Sequence, residues 1–159
     1  MRQLLCLSII GCALLFINYS TFVFHRNKGR TCKNLVKPAL LAVRELQDGI
    51  FKDPNEAWDV AGKIIFPTSP DLQTKGCPKN AFVGLCNNNL VSSVSVIQKN
   101  AKQNKNAIYA CKAVEPLKQN KYLTTQPELL WEKVAGNTKS SNSQMDVVIA
   151  LWSANLLRT

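Results

Sequence analysis

The sequence is short of the residues from which metal sites and catalytic sites are usually built. It has one histidine, His25, and its six cysteines form neither a C-x-x-C pair nor a zinc-type spacing with that histidine. A structural zinc site normally needs four Cys or His ligands, and a Ser-His-acid hydrolase needs a histidine beside its nucleophile. The seven glycines form neither a P-loop nor a G-x-G-x-x-G pattern, the usual phosphate cradles. We therefore expect no metal, no cofactor and no enzymatic activity.

Acidic residues are also scarce. The 159 residues include 10 Asp and Glu against 20 Lys and Arg, which gives a formal net charge of +10. This charge favours polyanions as partners, either nucleic acid or an anionic lipid surface, and it leaves a protein partner open. The basic residues are scattered along the chain, so a solvated surface is the competing interpretation.

The longest uncharged stretch lies near the N-terminus and predicts a membrane-spanning helix. It reads LLCLSIIGCALLFINYSTFVF, from Leu4 to Phe24, and a helix of these 21 residues is long enough to cross the ~30 Å hydrocarbon core of a bilayer. Basic residues from Arg26 onward place the rest of the chain on the cytoplasmic side. We therefore expect residues 1–29 to anchor a single-pass membrane protein with a cytoplasmic C-terminal domain. Two alternatives stay open: a secretory signal, and a start codon assigned too early, which would make the working protein cytoplasmic.

The rest of the chain is similar to itself. Three segments recur in the same order: ALLAVREL (39–46) as ACKAVEPL (110–117), DPNEAWDVAG (53–62) as TQPELLWEKVAG (125–136), and GCPKNAFVGLCNNNLV (76–91) as NSQMDVVIALWSANLL (142–157). The first and third pairs place apolar residues on one helix face, and the second pair begins with helix-start residues followed by a tryptophan. We predict an all-α fold of two tandem, sequence-related three-helix units that pack together, preceded by a hydrophobic N-terminal helix.

This repeat also sets the predicted boundaries. After the N-terminal segment 1–29 come a first three-helix unit at 30–91, a polar linker at 92–104 and a second three-helix unit at 105–159. Thr125 and Glu128 are predicted to form a capping box, and Pro116 is predicted to kink or end a helix near Glu115. The predicted structural core residues are Trp58, Trp131, Phe82, Leu85, Leu151 and Trp152.

The starts of the two third helices, which we call the third-helix entrances, form the candidate binding site. Helix N-termini attract anions, and basic or amide side chains there can position a phosphate backbone. The candidate phosphate- or partner-binding residues are Lys75, Lys79, Lys139, Asn142 and Gln144. The alternative is ordinary helix capping, with Cys77 and its repeat equivalent Ser143 as the capping residues.

Two motifs carry a resemblance to a known family. KGCPKNAFVGLC (75–86) and GNTKSSNSQMDVVIALW (136–152) are similar to an uncharacterised bacterial family of small helical proteins, a domain of unknown function. The resemblance extends from about Lys33 to the C-terminus and includes the alanine-rich helix before each tryptophan. It implies a helical domain and supplies no activity, cofactor or catalytic residue.

Taken with the charge, these features predict a small basic helical binding or adaptor protein that is not an enzyme and is tethered to the membrane. The alternative is a soluble nucleic-acid-binding protein that contacts the phosphate backbone through the third-helix entrances. An enzyme ranks third because the sequence contains no catalytic constellation.

Overall fold

The computed structural model describes residues 34–96, 104–137 and 140–158, and within these ranges the chain is helical without strands. Its α-helices are α1 (Val36–Gln47), α2 (Pro54–Ile65), α3 (Pro70–Gln73), α4 (Gly76–Asn87), α5 (Lys105–Gln119), α6 (Pro127–Ala135) and α7 (Gln144–Ser153). A 3-10 helix, Lys121–Thr125, lies between α5 and α6. The predicted all-α fold is confirmed. The N-terminal helix predicted within residues 1–29 lies outside the described residues, and none of the helices described is long and apolar enough to cross a membrane.

The helix α1 is amphipathic and packs against α2 through one apolar stripe. Ala39, Ala42, Val43 and Leu46 recur every three or four residues and are buried. Because three of the four side chains on this stripe are short, α2 can lie close to α1.

The start of α2 follows the sequence signals for a helix N-terminus. Pro54 occupies the first turn, and the Asp53 carboxylate accepts a hydrogen bond from the Asn55 backbone N–H at 2.9 Å. Trp58 of this helix lies in the core, and the centroid of its ring is 5.5 Å from that of Phe82 on α4. Both side chains are fully buried.

The helices α4 and α5 pack closely against each other at Gly84. A Cβ atom at this position would lie 2.3 Å from the Cβ atom and 2.6 Å from the Cα atom of Ala107. Glycine is therefore required by the neighbouring helix and not by its own backbone, which is helical. Any side chain at position 84 would push α5 away from α4.

The helix α5 does not end at Glu115, so of the two predicted effects of Pro116, a kink or an end, the end is wrong and the kink stays a prediction. It continues through Pro116 to Gln119, and the Asn120 N–H donates to the Pro116 carbonyl at 2.9 Å. Pro116 supplies no N–H to the Lys112 carbonyl, but its ring holds φ at about −65°, a helical value, so the final turn can still form after it.

The capping predictions were also wrong at three positions. The α6 N-cap is Gln126, without a side-chain cap, while the Thr125 hydroxyl donates to the Tyr122 carbonyl at 2.9 Å inside the 3-10 helix. Ser143 precedes α7 with a left-handed φ of 64° and makes no side-chain cap. Cys77 lies within α4, one residue after its start. Thr125 is instead hydrogen-bonded within the 3-10 helix, and Ser143 has a left-handed backbone in place of the extended one usual for an N-cap.

The turns that follow α4 and α7 have the same backbone geometry. Asn89 and Asn155 both have a φ of 56°, in the left-handed region that asparagine tolerates. After each asparagine, the next N–H donates back to the helix: Leu90 to the Leu85 carbonyl and Leu156 to the Leu151 carbonyl, both at 2.9 Å.

These two turns are then hydrogen-bonded to each other. The Ser92 N–H donates to the Leu156 carbonyl, and the Arg158 N–H donates to the Leu90 carbonyl, both at 2.8 Å. We call this reciprocal pair of hydrogen bonds the junction. It includes an antiparallel bridge between Val91 and Leu157, both of which are buried.

Most of the predicted core side chains are buried. Trp58, Phe82, Leu85 and Leu151 have no exposed surface, and Trp131 is 5% exposed. Trp152 is the exception, since it is only half-buried and packs against the outside of the core. Successive residues of a helix point about 100° apart, and at this position the helix face that carries Leu151 is the buried one while Trp152 lies at its edge.

Candidate functional site

The third-helix entrances lie together at one end of the molecule. The helices α4 and α7 pack side by side, and their C-terminal turns meet at the junction. At their N-terminal ends, the Asn142 side-chain amide donates to the Cys77 sulfur at 3.4 Å. The two helices therefore run in the same direction, and both positive dipole ends point to the same side.

Two of the predicted contact residues, Gln144 and Lys79, already bind other groups of the protein. Gln144 is 3% exposed; its oxygen accepts from the Asn142 backbone N–H at 2.6 Å, and its amide donates to the Asn106 side chain at 3.0 Å. The Lys79 ammonium forms an ion pair with the Asp59 carboxylate at 2.6 Å. Gln144 thus ties α7 to α5, and the charge of Lys79 is largely balanced.

The other predicted entrance residues are more accessible. Asn142 is exposed, and Lys75 is half-buried at the N-cap of α4. Lys139 lies outside the described residues. Within the described part of the chain, the entrances therefore present one free lysine and one amide, a smaller basic surface than the sequence pattern predicts.

A second candidate site lies at the opposite end, where the junction is. An open groove of about 750 Å³, which we call the junction groove, is lined by Ser92, Lys121, Thr124, Trp152, Ser153, Asn155, Leu157 and Arg158. Lys121 and Arg158 are exposed, and among the described residues that line the groove none is acidic. The residues that line the groove therefore include two cations, three hydroxyl residues, one asparagine and one tryptophan.

The backbone along the walls of the junction groove is held by hydrogen bonds from both side-chain and main-chain donors. The Thr124 hydroxyl donates to the Lys121 carbonyl at 2.8 Å, which fixes the 3-10 helix. The Ser92 carbonyl accepts from the Gln47 side chain at 2.9 Å, while its N–H belongs to the junction. These bonds hold the groove's backbone in one arrangement and leave its cationic side chains free to meet a ligand.

Sequence reasoning missed the junction groove for a physical reason. Lys121 and Arg158 lie 37 positions apart and outside the repeated segments, so no local spacing connects them. The one available signal was the pair Asn89 and Asn155, identical residues at equivalent positions after each third helix. A left-handed turn at both places predicts two matching turns, but it does not predict that they meet.

The thiols of Cys86 and Cys111 are not poised as nucleophiles. Burial raises the pKa of Cys111 to about 11, and burial together with the nearby Cys111 raises the pKa of Cys86 well above its ordinary value. The Cys111 Sγ lies 3.6 Å from the Gly84 carbonyl, to which it donates. Both groups are therefore protonated at neutral pH. No three potential ligands among His, Cys, Asp and Glu come close enough to hold a metal ion in the residues described.

Comparison with protein families identifies the chain from its sequence as a whole. A profile described as a family of unknown function, DUF6979, matches residues 33–158. The chain belongs to this family. The DUF6979 match covers all of the described residues, including both candidate sites, and it confirms the predicted membership in a family without a known function. Comparisons with curated proteins and with solved structures found no match.

Proposed function

We propose that the DUF6979 region is built as two tandem, sequence-related three-helix units, with α1, α2 and α4 in the first and α5, α6 and α7 in the second. The junction supports this arrangement. Its two donors, Ser92 and Arg158, are 66 positions apart, and so are its two acceptors, Leu90 and Leu156. A pair of equivalent turns that exchange equivalent hydrogen bonds is what a local two-fold relation between units would produce.

We propose that the protein is a non-enzymatic binding or adaptor protein and that its partner is negatively charged. The junction groove carries this proposal, because its rim holds Lys121 and Arg158 without an acidic neighbour in the lining. Within the described residues neither side chain takes part in an ion pair. An anionic ligand would therefore gain attraction there without having to displace an existing carboxylate.

Binding of a simple anion tests this function. The full chain, purified in mild detergent, would be titrated with pyrophosphate while the amide resonances of Ser92 and Arg158 are followed by NMR. The double variant Lys121→Gln with Arg158→Gln should lose the shifts, and Lys63→Gln, which removes an exposed charge from α2, should keep them. Equal loss in the Lys63→Gln control, or no shift in the wild type, would refute a specific anion site in the groove.

We also propose that the segment Leu4–Phe24 tethers the domain to a membrane with the domain on the cytoplasmic side. This part of the proposal is supported by the uncharged sequence of the segment and by the basic residues that follow it. Fractionation of cells that express the full chain provides the test. Recovery of a soluble protein whose N-terminus lies near residue 30 would rule the tether out, while recovery with the membranes in alkaline carbonate would support it.

Contact with nucleic-acid backbone through the third-helix entrances is a second candidate function. The hydrogen bond between Asn142 and Cys77 favours it, because it brings both entrances onto one surface. Titration with duplex DNA and RNA at two salt concentrations tests it, since phosphate contacts weaken steeply with salt. Lys75→Gln should reduce binding while Lys63→Gln should not; binding without salt dependence would count against this function.

A further inference from the structure

We propose that the junction groove binds a nucleotide unit, with the phosphate held between Lys121 and Arg158 and the base placed against Trp152. This inference rests on the proposed function and names the chemistry of the anionic partner. The same unit can come from a free nucleotide or from a single-stranded nucleic acid. The groove is distinct from the third-helix entrances, so the two surfaces can be tested separately.

The rim of the junction groove is positively charged. Lys121 lies at the start of the 3-10 helix, and Arg158 follows the junction, so both are attached to backbone that is hydrogen-bonded in place. An arginine guanidinium can bind a phosphate through two parallel hydrogen bonds, and a lysine adds a point charge. Two cations beside an open groove thus suit a phosphate ester better than a neutral ligand.

The indole ring of Trp152 is the feature of the groove that suits a nucleotide base. Tryptophan is a residue expected in the core by its size, yet here it is half-buried and forms part of the groove wall. Its buried part packs against the hydrophobic core, which holds its position. An aromatic side chain held beside a cationic groove is the combination by which proteins bind unpaired bases, through stacking and through charge on the backbone. A purely anionic ligand, such as an acidic peptide, would make no use of the ring.

The size of the groove and the polarity of its remaining wall also suit a nucleotide. Hydroxyl groups of Thr124 and Ser153 and the exposed amide of Asn155 can exchange hydrogen bonds with a sugar or a base edge. The volume of about 750 Å³ falls within the ~300–1,000 Å³ usual for small-molecule sites. Because the groove is open, it admits one nucleotide of a strand as readily as a free nucleotide.

The experiment compares ligands that carry the charge, the ring or both. The full chain in mild detergent would be titrated with ATP, inorganic triphosphate, adenosine and a poly-aspartate peptide. ATP should bind about tenfold or more tighter than inorganic triphosphate or the peptide, since stacking adds to charge. Single-stranded DNA and RNA oligomers form a further arm: tighter binding of an oligomer than of ATP assigns the unit to a strand, and the reverse assigns it to a free nucleotide.

Variants at Trp152 separate the ring's contribution from that of the fold. Trp152→Leu keeps an apolar side chain against the core and should abolish the advantage of ATP over triphosphate, whereas Trp152→Phe should retain most of it. Thermal unfolding of each variant confirms that it is folded before binding is measured. If ATP, triphosphate and the acidic peptide bind equally, or if Trp152→Leu binds ATP as the wild type does, the nucleotide inference is overturned. The anion-binding function would survive that result, because it is tested separately, by the pyrophosphate titration and its Lys63→Gln control.

Discussion

Asn89 and Asn155 adopt the same left-handed backbone conformation, with a φ of 56° at each, in the turns that the junction joins. Each asparagine reverses the chain so that the following residue can donate back to its helix. The two residues are exposed, so their role is one of conformation and not of packing.

Replacing either asparagine by alanine should destabilise the domain. A residue with a Cβ and no polar side chain is strained in the left-handed region, and we expect a loss of about 1 kcal/mol for Asn89→Ala and a similar loss for Asn155→Ala. Glycine has no such strain, so Asn89→Gly and Asn155→Gly should be near neutral. Urea unfolding measures both series; glycine variants as unstable as the alanine variants would show that the asparagine side chains matter instead.

Gly84→Ala should destabilise the domain even though alanine is the better helix former. The new Cβ would overlap both the Cβ and the Cα of Ala107, and overpacking of this kind costs about 1–3 kcal/mol. Gly76→Ala is the matched control, because its Cβ would meet only the Asn80 side chain at 3.8 Å. Adding Ala107→Gly to Gly84→Ala should restore little, since the backbone of residue 107 would still lie 2.6 Å from the new Cβ atom. Full recovery in the double variant would mean that only the two side chains collide.

Trp58 should tolerate phenylalanine much better than alanine. Its indole N–H is buried without a hydrogen-bond partner, so Trp58→Phe removes a desolvated donor together with part of the ring. We expect Trp58→Ala to cost about 3–5 kcal/mol and Trp58→Phe less than about 1.5 kcal/mol. Chemical unfolding of both variants gives the comparison. Equal costs would contradict the expectation that the aromatic ring, more than the N–H, accounts for the contribution of Trp58 to stability.

Alkaline pH should destabilise the fold through Cys111. Its folded-state pKa of about 11 lies above the ordinary thiol value of 9.0, so the unfolded chain loses this proton first as pH rises. The contribution of the thiol to stability is complete below pH 9 and declines between pH 9 and 11. Unfolding of the wild type and of Cys111→Ala, measured in reductant across this range, isolates the effect from the lysines and tyrosines. Parallel pH profiles for the two proteins would contradict it.

The helices could be predicted from the sequence because their signals are local. The stripe formed by Ala39, Ala42, Val43 and Leu46 repeats with the helical period, and Asp53 with Pro54 marks a helix start whatever the rest of the chain does. The same use of local signals predicted wrongly that Ser143 caps α7, because a residue that favours N-caps can still be held in a left-handed conformation by its neighbours.

The roles of the candidate site residues could not be predicted from the sequence, because they depend on contacts between helices that no local pattern contains. Whether Lys79 is a free cation is decided by Asp59, which lies on another helix, and Gln144 is buried because Asn106 is within reach. Trp152 was predicted to be in the core because it lies on the apolar helix face with Leu151, while the structure places it in a groove wall. Side-chain identity alone could not distinguish these roles, since each depends on packing between helices.

The junction also gives the molecule an internal reporter. The amide protons of Ser92 and Arg158 are held by hydrogen bonds that join residues far apart in the sequence, so they can exchange with solvent deuterium only when the two turns separate. Both residues also line the junction groove, so a ligand that fills it holds the turns together. Deuterium uptake at these two amides will therefore slow in proportion to occupancy, whatever the ligand is.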